Sequence, residues 1–318
     1  MLYALLVLWI AVALSILVEP RNGRIIIYLC IFSLLTSLAF FFMASPDTAM
    51  AEAAIGIFTT IFFIICFEKY EALKVDADPD KKKKRKRMRV LKKTILPLCF
   101  TAAIFALTLH FLPGGVASDY LRLQYLTNFI GDVGGENAVT AIYLGYRVYD
   151  TLFEALVLVI TVVAVAHMSY SDAAVVTEEI EGSEGEVRRS LFEVTVMRIV
   201  SVVILLFGIY LIMNGHITAG GGFQGGLFIA AFFVCRFLIY HIYDLPIGKI
   251  FRMEEVIFAS TVVVAAFVVF LGVSALVPYA HRPVFQAIYM IMMNFMIGMK
   301  VALGFMILFY RYVTIERR

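Results

Sequence analysis

Charge is scarce in this sequence, and so is any clustering of the residues that usually bind metals. Only 16% of the 318 residues are Asp, Glu, Lys or Arg, against roughly 25% in soluble domains, which excludes an ordinary water-soluble globule. The four cysteines, Cys30, Cys66, Cys99 and Cys235, all fall inside apolar runs, and none forms a C-x-x-C pair. They read as small buried hydrophobes, which excludes an iron–sulfur, zinc or disulfide framework. Five histidines stand singly near the ends of apolar runs, without the i, i+4 spacing of a metal-binding helix. The expectation is a chain with no cofactor and no redox centre, and no metal beyond a transient sodium ion.

What is present is hydrophobicity, at 62% of residues with a mean hydropathy of +0.91. A segment crossing a hydrocarbon core of about 30 Å needs roughly 17 to 25 residues. Nine runs qualify: 2–18, 25–44, 49–67, 94–112, 150–169, 194–213, 222–240, 255–277 and 285–313. The first has no basic residue before it and no small-x-small site after it, so it reads as a span rather than a cleaved signal. Cytoplasmic loops hold back positive charge, and alternate loops carry Arg21 and Arg24, the tract "KKKKRKR" (81–87), Arg188 and Arg189, Lys249 and Arg252, and Arg317 and Arg318. The opposite side holds Arg122, Arg147 and Arg282. The expected fold is an all-α integral membrane protein of about nine transmembrane helices, N-terminus outside and C-terminus cytoplasmic.

Two polar breaks divide the chain into blocks: 1–75 with three helices, a basic linker at 76–93, 94–170 with two helices and an external loop, an acidic linker at 171–189, and 190–318 with four helices. The basic tract reads either as a solvated linker that fixes topology or as a contact for anionic lipid headgroups or an acidic partner. Nucleic-acid binding is excluded for a short tethered loop. Part of the loop at 113–149 is either a surface-lying helix or a packed external segment.

Polar groups inside the spans are the functional candidates, because a charge at mid-bilayer costs about 2.5 to 3.5 kcal/mol even on the lenient insertion scale. They are Glu52, Asp150, Glu154, Asn294 and Lys300. Asp150 and Glu154 stand i, i+4 on one helix face. Capping and the helix dipole account for Asp150 as well as an ion role does, but explain Glu154, one turn deeper, poorly. Glu52 is in a first turn that Asp47 already complements, which leaves it free for function. Lys300 is near the middle of the last span, so it pairs with a carboxylate or loses its charge, in a proton relay or a structural ion pair.

"NGHITAGGGFQGG" (214–226) sets His216 among Gly215, Gly220, Gly221, Gly222, Gly225 and Gly226. Its "GGGFQG" matches G-x-G-x-x-G, yet a membrane run precedes it instead of a strand, so a dinucleotide site fails on context. Two readings survive together: glycines that permit a sharp turn and close helix contact, or bare backbone beside His216 lining an ion path.

"GHITAGGGFQGGLFIAAFFV" (215–234) resembles the signature of the B subunit of Mrp-type multisubunit cation/proton antiporters, also found in the antiporter-like module of membrane-bound hydrogenases. Ala219 stands where that pattern has Pro. "AEAAIG" around Glu52 resembles the three-helix region near the end of the large Mrp A subunit, whose intramembrane Glu is implicated in cation transport. "ENAVTAIYLGYRVYDTLFEALVL" (136–158) resembles the A-subunit segment that follows, with Asn137, Arg147, Asp150, Thr151 and Glu154 matching and Gly145 in place of an acidic residue.

The resemblance implies a non-redox subunit of a sodium-translocating, Mrp-like module in a ferredoxin-linked, hydrogenase-like or sulfur-reducing complex of a prokaryotic cell membrane. Its implied partners are C-, D-, E-, F- and G-like antiporter subunits and hydrogenase-like and iron–sulfur subunits, where catalysis would reside. A subunit of a stand-alone Mrp antiporter and a purely structural adaptor are the alternatives.

Overall fold

The computed structural model describes residues 2–72, 102, 120–172, 191–240, 246–273 and 283–314. All regular structure among them is helical: α1 (Leu2–Val18), α2 (Asn22–Phe42), α3 (Pro46–Ala72), α4 (Tyr120–Val133), α5 (Ala138–Ala141), a π-helical segment (Ile142–Tyr146), α6 (Val148–Asp172), α7 (Leu191–Asn214), α8 (Gly222–Tyr240), α9 (Ile247–Val273) and α10 (Pro283–Thr314). Among these residues, six helices are long and apolar enough to cross a membrane, and α1 and α8 contribute two shorter apolar helices. The expected span at 94–112 lies outside the described residues except for residue 102, as do 76–93 and all but two residues of the linker at 171–189.

The N-terminal hairpin follows from small polar residues placed at helix spacing. Ala44 takes a left-handed φ of 56° after α2, and Pro46 opens α3, where its missing N–H is not needed. Ser37 Oγ then donates to the Ala49 carbonyl at 2.7 Å, while Ser33 seats directly over Gly56. Trp9 of α1 stacks on Phe32 at 4.7 Å and donates to Thr36 Oγ1.

In the C-terminal part, α8 is clamped between α7 and α10 by glycine contacts. A Cβ on Gly225 would lie 2.6 Å from the Gly208 carbonyl oxygen of α7, and one on Gly226 would lie 2.5 Å from the Gly298 carbonyl oxygen of α10. Such approaches replace the absent hydrophobic drive between helices in lipid with dense van der Waals contact. The last helix, α10, is the axis of the bundle. It touches α4, α6, α7, α8 and α9, and its Met290, Met293, Val301, Met306 and Phe309 belong to one core shared with Phe58 of α3 and Leu227 and Val234 of α8. By contrast, α7 and α9 expose Val203, Leu206, Val263 and Phe267, as surfaces facing lipid or other subunits would.

One expectation changes in detail, and one open alternative is settled. The helix expected at 255–277 begins at Ile247, eight residues earlier, because Ile250 packs into the core and carries the helix through the polar stretch. Glu254 is thereby drawn inside. Of the two readings of the loop at 113–149, the packed one holds at 137–148, where Asn137, Thr140, Ala141, Leu144 and Val148 are buried.

Candidate functional site

A buried polar junction forms where the starts of α3, α5 and α8 meet one face of α10. Asp47 in the first turn of α3 is 8% exposed. Its Oδ1 accepts from Asn137 Nδ2 at 2.9 Å and from the Gly220 amide at 3.1 Å. Asn137 caps α5, its Oδ1 accepting from the Val139 amide at 2.9 Å. Its Nδ2 also reaches the carbonyls of Gly215 at 3.2 Å and Thr218 at 2.9 Å. Three acceptors thus surround a group with two hydrogens.

The chain of contacts continues into the helix bundle. Thr140 Oγ1 donates to the Gly215 carbonyl at 2.6 Å, Tyr143 OH donates to Asn294 Oδ1 at 2.9 Å, and the Gly222 amide donates to the same oxygen at 3.0 Å. Burial, followed by the charges of Asp47 and Glu154, pushes the Tyr143 phenol well above its ordinary pKa. Tyr143 lies in the π-helical segment, a distortion that widens the turn and re-aims side chains. Gly145 of that segment has Val133 against it, where a Cβ would stand 2.7 Å from the valine methyls. That contact is a physical reason for the missing acidic side chain.

The glycine cluster shows mainly the close-contact reading. Gly220 and Gly221 hold φ of 152° and 153°, conformations side chains rarely adopt, and their loop aims the amides of Gly220 and Gly222 at Asp47 and Asn294. Gly215 lies against Gly221, while Gly222, Gly225 and Gly226 admit neighbouring backbone. His216 Nδ1 lies 3.1 Å from the Met213 carbonyl oxygen in its own turn. Its main-chain carbonyl accepts from the Glu136 and Asn137 amides at 2.9 and 3.1 Å.

The remaining candidates fall into separate places. Glu52 is half-buried, and its Oε1 accepts from Ser33 Oγ at 2.8 Å. Asp150 pairs with Arg147 at the exposed start of α6, and Glu154 is exposed one turn further on. Lys300 meets none of these three carboxylates. Its Nζ donates to Glu254 Oε1 at 2.7 Å, with both side chains 1% exposed. Sequence reasoning missed Glu254, which sits beside Glu255 and Arg252 at what reads as a helix boundary. The signal available was the lysine itself, which demands a carboxylate on a facing helix. It also treated Asp47 as a dipole charge, although Asp47 is a long-range acceptor.

Comparison with known proteins adds a family to this geometry. Residues 193–314 match the domain related to the MnhB subunit of Na+/H+ antiporters, and residues 7–72 match the MbhD family of MBH subunits. The chain resembles an Mrp-type antiporter module. Over 160 residues it is 28% identical to a putative antiporter subunit mnhA2 of Staphylococcus aureus (strain MRSA252), covering 49% of this chain and 18% of that protein. It is 37% identical over 121 residues to an uncharacterized protein of Methanocaldococcus jannaschii, 35% of this chain and 45% of the relative. It therefore spans less than half the length of either.

Among solved structures, the Mrp complex from Dietzia sp. DQ12-45-1b superposes with a TM-score of 0.62 at 18% identity, over 95% of this chain and 34% of the matched one. At that identity the likeness is one of fold. The membrane-bound sulfane sulfur reductase, an archaeal respiratory membrane complex, matches with a TM-score of 0.52 at 26% identity, over 71% of this chain and 97% of the matched one. With six helices long and apolar enough to cross a membrane among its described residues, the chain is a multi-pass membrane protein that resembles antiporter subunits.

Proposed function

We propose that this chain is a non-redox subunit that lends carboxylates to a sodium path in an Mrp-like module of a prokaryotic, ferredoxin-linked respiratory complex. The observation that carries the reading is that Glu52 and Glu154 each stand six residues into an apolar helix, α3 from Pro46 and α6 from Val148, and form no ion pair among the described residues. A carboxylate at that depth takes up a proton or a cation, because an uncompensated charge there is costly. Hard cations favour oxygen ligands, and Glu52 adds the Ser33 hydroxyl beside it. The exposure of Glu154 suits a path completed by a neighbouring antiporter-like subunit. The match to nearly the whole of a chain of an archaeal respiratory complex supports the redox-linked setting, with catalysis in other subunits.

The test is sodium transport by the whole complex in membrane vesicles. Glu52→Gln and Glu154→Gln should each cut transport by roughly tenfold or more, with the complex still assembling. Unchanged sodium transport in both variants would sink the proposal.

A structural adaptor between antiporter-like subunits is the second reading. It is favoured by the junction at Asp47, whose hydrogen bonds run between residues far apart in the chain. That reading expects both glutamine variants to transport normally.

A further inference from the structure

Glu254 and Lys300 form a pair that the sodium reading does not use. Glu254 stands two turns into α9, and Lys300 lies near the middle of α10. Their one hydrogen bond leaves Glu254 Oε2 buried without a partner. The lysine has three hydrogens and the carboxylate about four acceptor positions, so a single contact leaves much of both groups unmet. Burial makes each unmet group expensive. A fixed ion pair built only for stability would close both oxygens.

The surroundings extend the polar character along one line. Glu254, Phe258 and Thr261 share a face of α9 at i, i+4 and i+7. Phe258 places its ring 5.6 Å from Lys300 Nζ, where the ring face steadies a cation. Thr261 is 2% exposed, and its hydroxyl is bound to the Ile257 carbonyl at 2.7 Å. On the surrounding helices, Arg122 and Asp132 of α4, Asp150, Glu154 and His167 of α6, Arg198 of α7, Arg236 of α8, and Lys249, Arg252 and Glu255 of α9 itself are all exposed, while Arg311 is half-buried on α10, three turns beyond Lys300. The charge in direct contact with Lys300 is that of Glu254.

We propose that Glu254 and Lys300 form a proton-exchange site, with a water molecule held on Glu254 Oε2. A proton delivered through that water binds Oε2, turning the carboxylate into a neutral carboxylic acid and leaving Lys300 as an uncompensated ammonium. The reverse step returns the same proton to the water and restores the ion pair. No bond to carbon changes, and one proton is gained and lost. In the protonated state the membrane core carries one more positive charge, which disfavours a cation held elsewhere within the same membrane core. This use rests on the cation-transport reading, whereas the exchange site stands on its own geometry.

Infrared difference spectra of the intact membrane complex, recorded on lowering pH, test the site directly. The expected result is a component of the protonated-carboxyl band that grows in the wild type, is lost in Glu254→Gln, and is likewise missing from the pH difference spectrum of Lys300→Met, whose absolute spectrum shows it at every pH because the carboxylate has lost its counter-charge. A wild-type spectrum with no pH-dependent protonated-carboxyl band overturns the proposal without any variant having to assemble, and so does a band unchanged in Glu254→Gln.

Proton-coupled transport supplies the second readout. The neutral double variant Glu254→Gln/Lys300→Met removes both charges and should fall at least roughly tenfold. Wild-type transport in that variant means a structural pair and overturns the proposal. Normal infrared behaviour with unaffected transport in Glu52→Gln and Glu154→Gln would instead remove the sodium reading and leave the exchange site standing.

Discussion

Asn294 accepts two hydrogen bonds on a single oxygen, from the Tyr143 hydroxyl and the Gly222 amide, and is fully buried. Replacing it with Ala strands both donors away from water, at about 1–3 kcal/mol for each unmet group. Thermal unfolding of the purified protein in detergent should show Asn294→Ala destabilised by about 2 kcal/mol or more; a melting curve matching the wild type would mean the two donors find other partners. At this scale the sequence shows where polar groups must be explained but not what explains them. Lys300 is conspicuous in an apolar run, yet its partner depends on how α9 is rotated and how early it begins. Glu52 is equally visible, while Ser33, its hydrogen-bond donor, is one unremarkable serine in another helix.

Helix α8 shows how one element serves two interfaces. Gly222 and Gly226, one turn apart, admit the backbone of α10 around Asn294 and Gly298, whereas Gly225 on the other side admits Gly208 and Ile212 of α7. A methyl on Gly226 would lie 2.5 Å from the Gly298 carbonyl oxygen and 2.8 Å from Val301 Cβ, and neither backbone can yield cheaply. Gly226→Ala should therefore destabilise by about 1–3 kcal/mol. Gly131 and Gly248 have open space where a Cβ would go, so Ala at either should be neutral or stabilising by up to about 1 kcal/mol, the helix-propensity difference. Opposite signs in one set of melting experiments check both statements; equal destabilisation at all three positions would reject the close-contact account. The glycine run is legible as a place of tight approach, but the division of its members between two neighbours is a matter of helix phase in the assembled bundle.

Across the whole molecule, Asp47 ties the N-terminal helices to the rest through Asn137 and Gly220. Without it Asn137 keeps its bonds to the Gly215 and Thr218 carbonyls, so the loss falls on the Gly220 amide and on the attachment of α3. Asp47→Ala should speed amide hydrogen exchange in α1–α3 by several-fold while α8 and α10 stay protected, since local opening follows the contacts removed. Uniformly faster exchange would show that Asp47 stabilises the fold at large.

The sequence alone determined the solvent and where the described apolar helices lie, because hydropathy over about 20 residues reflects the cost of bare backbone and charge in lipid. The runs at 2–18 and 222–240 coincide with α1 and α8 to the residue. Only the tertiary structure decided which of the polar residues meet, that Lys300 faces Glu254, and that Asp47 reaches Gly220. Those pairings join residues 46 and 173 positions apart, and such contacts are fixed by helix rotation and register, which local periodicity does not encode.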